Sequence, residues 1–350
     1  MTAVHHVIPA ATPGDAVTGQ AFAWRELIAS WGYRGEIVSE HVHPDLAGKV
    51  HRLDQTGRRL LDHGKLVLRY SIYSKTADIA LAAPDRVALC YHNITPGHLL
   101  RDYNPDVADL CERGRAALSR MPARPAVVIA DSEFNAADLR DAGLGEATVV
   151  PLLLDLPDDV PGDGRSGDPI VLTVGRIVPN KRLDDVIKAF TLYQRHKAPA
   201  ASLVIVGSDA GFENYRLALQ QLIATIGAER VFFTGSISPE ARDAWYRRAH
   251  AYLSMSVHEG FCAPLVEALA HGVPVVARRA GAVAETLGDA GLVLEGDDLP
   301  LVAEALDELA SSAKTRRAFA AAAEERLAEL RPAAVAPRIY AALAPLLEED

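Results

Sequence analysis

Two carboxylates, Glu259 and Glu267, bracket a stretch whose residue types suit an anion-binding loop that runs into a helix. It reads Ser256-Val257-His258-Glu259-Gly260-Phe261-Cys262-Ala263-Pro264-Leu265-Val266-Glu267. Pro264 fits the first turn of a helix, where its missing N–H costs nothing. Gly260 frees the loop ahead of it to present consecutive backbone N–H groups, and such a nest binds anions. Glu259 then sits in a loop and Glu267 about one turn inside the helix, each able to accept hydrogen bonds from a hydroxyl-rich ligand. The plainer alternative is a helix start with an acidic loop residue and an exposed Glu.

A second cluster follows the apolar run Ile170–Val174, which ends in Gly175-Arg176, with Lys181 just before a helical pattern from Leu183. Glycine lets a ligand approach the backbone. Arg176 offers a planar fork and Lys181 a point charge. Two cations at a helix start suit a diphosphate, which the positive end of the helix dipole also favours. They could equally be solvated charges, or partners for Asp184 and Asp185. The phosphate-loop signatures G-x-G-x-x-G and G-x-x-x-x-G-K-[ST] are absent, against a dinucleotide dehydrogenase or a P-loop NTPase.

The elements that must position these residues alternate along the chain. Short β-rich runs at Val4–Ile8, Glu36–Val38, Leu66–Leu68, Val87–Tyr91, Ala126–Ile129 and Thr148–Val150 are separated by helical patterns such as Gly19–Trp31. The second half repeats the scheme, with strands at Ile170–Val174, Leu203–Val206, Val231–Phe233, Ala251–Ser254, Val273–Val276 and Gly291–Leu294. Helices are expected between these at Leu183–His196, Tyr215–Ile226, Pro239–Arg248 and Leu265–Ala270. Such alternation implies an α/β chain of two doubly wound, Rossmann-like domains. The Asp-, Gly- and Pro-rich stretch Asp155–Asp168 reads as the linker between a domain over 1–160 and another over 161–333. A last helix, about 334–350, is expected to rejoin the first domain. Ligands of open parallel sheets bind beyond the carboxyl ends of the strands, which is where both clusters lie.

Composition narrows the classes. The 350 residues are 49% hydrophobic and carry a net charge of −10, shared evenly between the halves. No basic lobe exists to follow a nucleic-acid backbone. Cys90, Cys111 and Cys262 fit no metal-ligand or redox spacing and read as reduced thiols. No secretory signal is visible and no apolar run is long enough to cross a bilayer, so a cytoplasmic protein is expected.

The segment Ser256–Glu267 resembles the donor-site signature of retaining GT-B glycosyltransferases of the group 1 type, carbohydrate-active-enzyme family 4. Glu259 and Glu267 have the family's spacing, with seven residues between them, and Gly260, Phe261 and Pro264 fall in register. Arg176 and Lys181 look like its strand-end Arg and following Lys. The Gly-Val-Pro-Val run within Leu269–Val276, then Gly281 and Glu285, extends the match, which covers residues 170 to 290 well and the first half more loosely. The resemblance implies that Arg176 and Lys181 hold a donor diphosphate and that backbone N–H groups over Phe261–Leu265 bind the distal phosphate. It implies that Glu267 accepts hydrogen bonds from the ribose and that Glu259 contacts the donor sugar. It sets the base beside Ser236 and Ile237, at the strand end that starts from Thr234 and Gly235, and leaves the diphosphate room at Gly207. Cys262 and Ala263 depart from the family's more usual Gly and Leu or Met, and the loop Ala11-Thr12-Pro13-Gly14-Asp15 offers only Gly14 where paired glycines are frequent.

In the first half, His92 follows the strand Val87–Tyr91, and a strand-end His could donate to a sugar hydroxyl or orient the acceptor. Otherwise it caps the strand or bonds within the core. His5 and His6 are weaker candidates. Asp131-Ser132-Glu133-Phe134 reads as a helix cap with an acidic first turn. The arginine-bearing stretch Cys111–Arg124 lacks a clean apolar face and reads as a solvated helix rather than a membrane dock.

The reading is therefore a glycosyltransferase that moves a sugar from a nucleotide diphosphate sugar, UDP- or GDP-linked, to an acceptor hydroxyl with retention. His92, Glu259, Arg176 and Lys181 are its catalytic candidates. No metal or cofactor is expected. The acceptor is a glycan, a lipid-linked sugar or a small metabolite, nucleic acid is no partner, and membrane contact is peripheral at most. The alternatives are a nucleotide-sugar epimerase of the same architecture and a non-catalytic nucleotide-sugar-binding protein.

Overall fold

Every strand pairing among the described residues is parallel, as alternation of short apolar runs with helices requires. The computed structural model describes residues 3–121, 123–158 and 165–348. The chain divides into two units, one of Met1–Gly97, Asp106–Leu154 and Leu330–Asp350 and the other of His98–Pro105 and Asp155–Glu329. Part of the linker stretch, 159–164, lies outside the described residues.

The first unit holds seven strands: β1 Val4–Ala11, β2 Ile37–Val42, β3 His51–Arg52, β4 Lys65–Tyr70, β5 Val87–Tyr91, β6 Val127–Ala130 and β7 Thr148–Val149. Their order is β3-β2-β1-β4-β5-β6-β7. The chain winds outward from β1 in one direction and resumes from β4 in the other, so the switch point lies between β1 and β4. The helix Pro332–Leu347 returns to this sheet, burying Val335, Ile339, Leu343 and Leu346 in one core with Val4, Val67, Ala88 and Val127. Its end is tied down where Tyr33 and Lys65 donate to the Leu347 carbonyl, at 3.4 and 3.3 Å.

The second unit holds six: β8 Ile170–Val174, β9 Ser202–Val206, β10 Val231–Gly235, β11 Ala251–Ser254, β12 Val275–Arg278 and β13 Leu292–Leu294, in the order β10-β9-β8-β11-β12-β13. Its switch point is between β8 and β11, the two strands that the motif loops follow.

Assigning 1–160 wholly to the first domain needs correction. The segment His98–Pro105 belongs to the second unit, because Tyr103 packs edge-on against Tyr215 at 5.0 Å and the Asn104 amide donates to the Gly211 carbonyl at 2.7 Å. The two-residue strand β3 has no counterpart in the sequence reading, because His51 and Arg52 form no apolar run. The arginine-bearing helix spans Pro105–Leu118. Its charges are engaged within the unit: Arg113 lies over Tyr73, and Arg115 grips both oxygens of Asp138 at 2.8 and 3.1 Å.

Candidate functional site

Two loops meet at the switch point of the second sheet, and their backbones fix one another. After β8, the Gly175 N–H donates to Val206 and that of Ile177 to Ser208; the Val257 N–H, after β11, donates to the Asn180 carbonyl at 2.9 Å. The buried Asn180 amide donates back to the His258 carbonyl at 3.3 Å. Gly175, at φ 146°, and Gly207, at φ 150°, both occupy backbone closed to most side chains. A Cβ on Gly207 would fall 1.8 Å from the Gly175 carbonyl oxygen. The open space expected for a diphosphate at Gly207 is thus filled by the neighbouring loop, and the glycine serves close backbone packing.

Within this frame the Lys181 ammonium donates to Glu259 at 2.6 Å, with side-chain exposures of 21% and 8%. Burial works against the Lys181 charge, but the Glu259 carboxylate outweighs it, so its pKa lies above the usual lysine value. Lys181 is therefore a fixed cation with two N–H bonds left to give. Asp184 and Asp185 are not its partners: they hold Arg182, Lys188 and Arg278. Arg176 is exposed, its guanidinium 5.8 Å from the centre of the Phe212 ring. The pocket between Lys181, Glu259, Ser256 and Arg176 has room for about one water molecule, at about 10 Å³.

The anion nest is narrower than the sequence implied. Leu265 is fully buried and its N–H is spent on the Cys262 carbonyl at 3.0 Å. Pro264 has none. Among the described residues, the N–H groups of Phe261, Cys262 and Ala263 have no acceptor in the protein. The left-handed residue that turns the loop is Cys262, at φ 69°, rather than Gly260. This conformation favours glycine, which explains why glycine is usual at that place in the family the loop resembles. The Cys262 thiol is buried against Glu259, and burial first, then that carboxylate, push its pKa well up, so it is an inert thiol. Gly281, at φ 50°, lies so close to the Glu259 backbone that a Cβ would meet its carbonyl oxygen at 2.2 Å. Thr286 donates to the Phe261 carbonyl at 2.6 Å, clamping the loop from behind.

Glu267 lies one turn into the helix Ala263–Ala270 and is already oriented. Tyr246 donates to it at 2.8 Å, and Arg242 stands 3.3 Å from its other oxygen. Tyr246 is itself fixed by stacking on Tyr252 and His271, and burial, then Glu267, hold its phenol in the protonated, donating form. Tyr246 and Arg242 escaped the sequence reading. They sit in the helix Pro239–Arg248 with no motif around them. Ser236 is exposed and Ile237 half-buried in the turn after β10.

The first unit treats its strand-end residues differently. His92 Nδ1 is 2.7 Å from Asp131 and Nε2 is 3.1 Å from Arg69. An arginine can only donate, so Nε2 accepts and Nδ1 carries the hydrogen given to Asp131. Both ring nitrogens are spent, which overturns the expectation that His92 is free to bond a sugar hydroxyl. Arg69 is buried over the Trp24 ring at 4.6 Å and donates to the Gln20 carbonyl at 2.9 Å. Asp131 is thus the buried counter-charge of this network, while the cap of the helix Glu133–Asp141 is Ser132. His6 is fully buried with neither ring nitrogen paired, and burial, then Arg69, hold its pKa far down. His5 accepts from the Glu36 N–H at 3.1 Å. Gly14 turns the chain at φ 75° with open space around it, ahead of Asp15, which caps the helix Ala16–Ser30.

Residues 161–326 match the family model described as glycosyl transferases group 1. A GDP-mannose-dependent alpha-(1-6)-phosphatidylinositol monomannoside mannosyltransferase of Mycolicibacterium smegmatis is 34% identical over 168 residues, 45% of this chain and 42% of that protein. A D-inositol 3-phosphate glycosyltransferase of Frankia alni is 33% identical over 217 residues, 57% of this chain and 53% of that one. The chain spans about half the length of the curated relatives it matches. Solved structures cover nearly all of it: the crystal structure of Anabaena HepE in complex with UDP and glucose has a TM-score of 0.77 at 18% identity, covering 98% of this chain and 100% of that one. Sucrose-phosphate synthase of Thermosynechococcus elongatus reaches 0.78 at 18% identity, covering 99% and 100%. At that identity the likeness shows the fold, which is GT-B. The family match and the converging loops fall in the same span of the second unit, so it is this unit that resembles the group 1 glycosyl transferases.

Proposed function

We propose that the protein transfers a sugar from a nucleotide diphosphate sugar to an acceptor hydroxyl, with retention of anomeric configuration. The observation that carries this is the 2.6 Å pair between Lys181 and Glu259. It joins two strand-end loops, keeps a permanent cation beside a carboxylate, and lies within the family match. Lys181 and Arg176 hold the diphosphate and offset its charge as the nucleoside diphosphate departs, an electrostatic role aimed at charge that develops in the transition state. The free N–H groups of Phe261, Cys262 and Ala263 take the distal phosphate. Glu267, already steadied by Tyr246, takes the ribose, and Glu259 the donor sugar. The base lies by Ser236 and Ile237.

The bond from the sugar's anomeric carbon to the diphosphate breaks as the bond to the acceptor oxygen forms on the same face. The acceptor proton passes to the departing diphosphate, so the reaction needs no separate general base and, in this reading, no metal or cofactor. A UDP- or GDP-sugar is the proposed donor. Relatives named as GDP-mannose-dependent and a neighbour crystallised with UDP support these two bases. The acceptor is a glycan, a lipid-linked sugar or a small metabolite, and the relatives named for a phosphatidylinositol mannoside or an inositol phosphate support that range. Among the described residues no helix is long and apolar enough to cross a membrane; the proposed setting is the cytoplasm, with peripheral membrane contact at most.

A thermal-shift screen against UDP-, GDP-, ADP- and dTDP-sugars tests the reading, since a ligand raises the melting temperature with its affinity. One nucleotide series is expected to stabilise the protein, and the hit should release nucleoside diphosphate once an acceptor is supplied. No stabilisation by any of them would contradict the proposal.

A further inference from the structure

The opposite edge of the second sheet holds a cavity that the donor chemistry does not use. It lies where β8, β9 and β10 begin, at Ile170, Ser202 and Val231, one strand length, roughly 16 Å, from the loops that carry Lys181 and Glu259. At about 560 Å³ it falls within the size range of small-molecule sites. Arg165, Arg230, Arg247 and Arg248 line it with Trp245 and Phe232, against the single carboxylate of Asp168. On a chain of net charge −10 this is a local reversal of sign.

The lining is positioned with some care. Arg230 is held in left-handed backbone at φ 54°, with its guanidinium 3.1 Å from the Ser202 hydroxyl and 3.4 Å from Asp168. A non-glycine residue kept in such backbone marks a place where the surroundings enforce strain. Arg248 lies over the Trp245 ring at 4.8 Å. Phe232 is 52% exposed on β10, the edge strand of the sheet. Arg247 and Arg248 end the helix Pro239–Arg248, whose dipole favours cations there. That accounts for their sign but not for their company, because neither meets a carboxylate among the described residues. Two guanidinium forks without a carboxylate partner, beside an exposed aromatic face, match a phosphate group attached to an apolar or ring-bearing body.

We infer that this pocket is a second anion site, which takes a soluble small molecule carrying phosphate. The phosphate sits on the forks of Arg247 and Arg248 and the rest of the molecule lies against Phe232. Its volume admits a whole small molecule, which favours a soluble source over the headgroup of a lipid held in a bilayer.

Calorimetry with inorganic pyrophosphate tests this on the full chain carrying Lys181→Ala, in which the donor site is weakened so that a second site can be read apart from it. One site is expected to remain, and adding Arg247→Ala with Arg248→Ala weakens it by about tenfold or more, as loss of charge-assisted hydrogen bonds requires. Both side chains are exposed, so the melting temperature of the variant should match its parent. Arg247→Lys with Arg248→Lys keeps the charge, loses the forks, and is expected to bind more weakly than the parent as well. Equal affinity in the parent and both arginine variants would overturn the inference, as would the absence of any residual site. Flotation with vesicles of phosphatidylcholine and phosphatidylglycerol separates the two phosphate sources: binding to vesicles but not to pyrophosphate, lost in the arginine variants, also overturns it. The same arginine substitutions in the unaltered chain should remove one site whether or not Lys181 binds a donor, so this result stands apart from the transferase reading.

Discussion

Each sheet gathers charged side chains at its carboxyl edge, and the two groups are wired to opposite effect. In the first unit Arg69, His92 and Asp131 close a chain of hydrogen bonds that uses both ring nitrogens of His92 and buries both charges. In the second, Lys181 spends one of three N–H bonds on Glu259, while Arg176 stays exposed and three backbone N–H groups stay unpaired. Topology brings polar residues to the strand ends in both. Unspent donors mark the place where a ligand completes the structure, and a closed network marks one the chain has completed itself.

The largest effect should come from opening the closed network. Asp131→Ala leaves Arg69 buried without its counter-charge and is expected to cost about 3–5 kcal/mol in a denaturant titration. A loss below about 1 kcal/mol would mean that the first unit's network is as open as the second's. Next, Tyr246→Phe removes the hydroxyl that steadies Glu267, for about 1 kcal/mol of stability. Donor affinity should fall with it, whereas a purely structural hydroxyl would leave affinity unchanged.

A smaller effect separates Lys181 from its acidic neighbours. Burial raises the Asp184 pKa, but hydrogen bonds from Arg182 and Lys188 more than reverse this, leaving it below 3.8. A carboxyl with a depressed folded-state pKa stabilises above its unfolded value and loses that contribution as pH falls through the folded one. Asp184→Asn should therefore flatten the fall in melting temperature below about pH 4 while leaving donor affinity at neutral pH intact. Loss of that affinity would put Asp184 in the ligand site. The smallest change is expected of Cys262→Gly. Relief of the left-handed strain is offset by the greater freedom of an unfolded glycine, so stability should move by less than about 1 kcal/mol. Retained donor binding would place the loop's role in its backbone, and its loss would assign one to the thiol.

What the sequence made legible was whatever is local. β5, β8 and β11 run over the residues their apolar runs mark, and Ser256–Glu267 carries its loop and helix start in its own composition. Hidden features depend on contacts far along the chain. The closure of His92 needs Arg69, 23 positions earlier, and Asp131, 39 later, and no local pattern announces either. Tyr246 reaches Glu267 from another helix, and Gly207 owes its identity to a carbonyl on a different loop. Backbone angles were equally silent: Gly260 read as the residue that frees the loop, while the fold places the left-handed position at Cys262.

Calorimetric titration of the full chain and of Lys181→Ala with the nucleotide sugar that stabilises it most tests the central claim directly. The unaltered protein should bind one equivalent, and the variant should bind about 10- to 100-fold more weakly, as loss of a charge-assisted contact to a diphosphate implies. His92→Gln, measured alongside, should keep its affinity wherever it stays folded. Equal binding by the Lys181→Ala variant, or a loss confined to His92→Gln, would contradict the assignment of the donor site to the second unit.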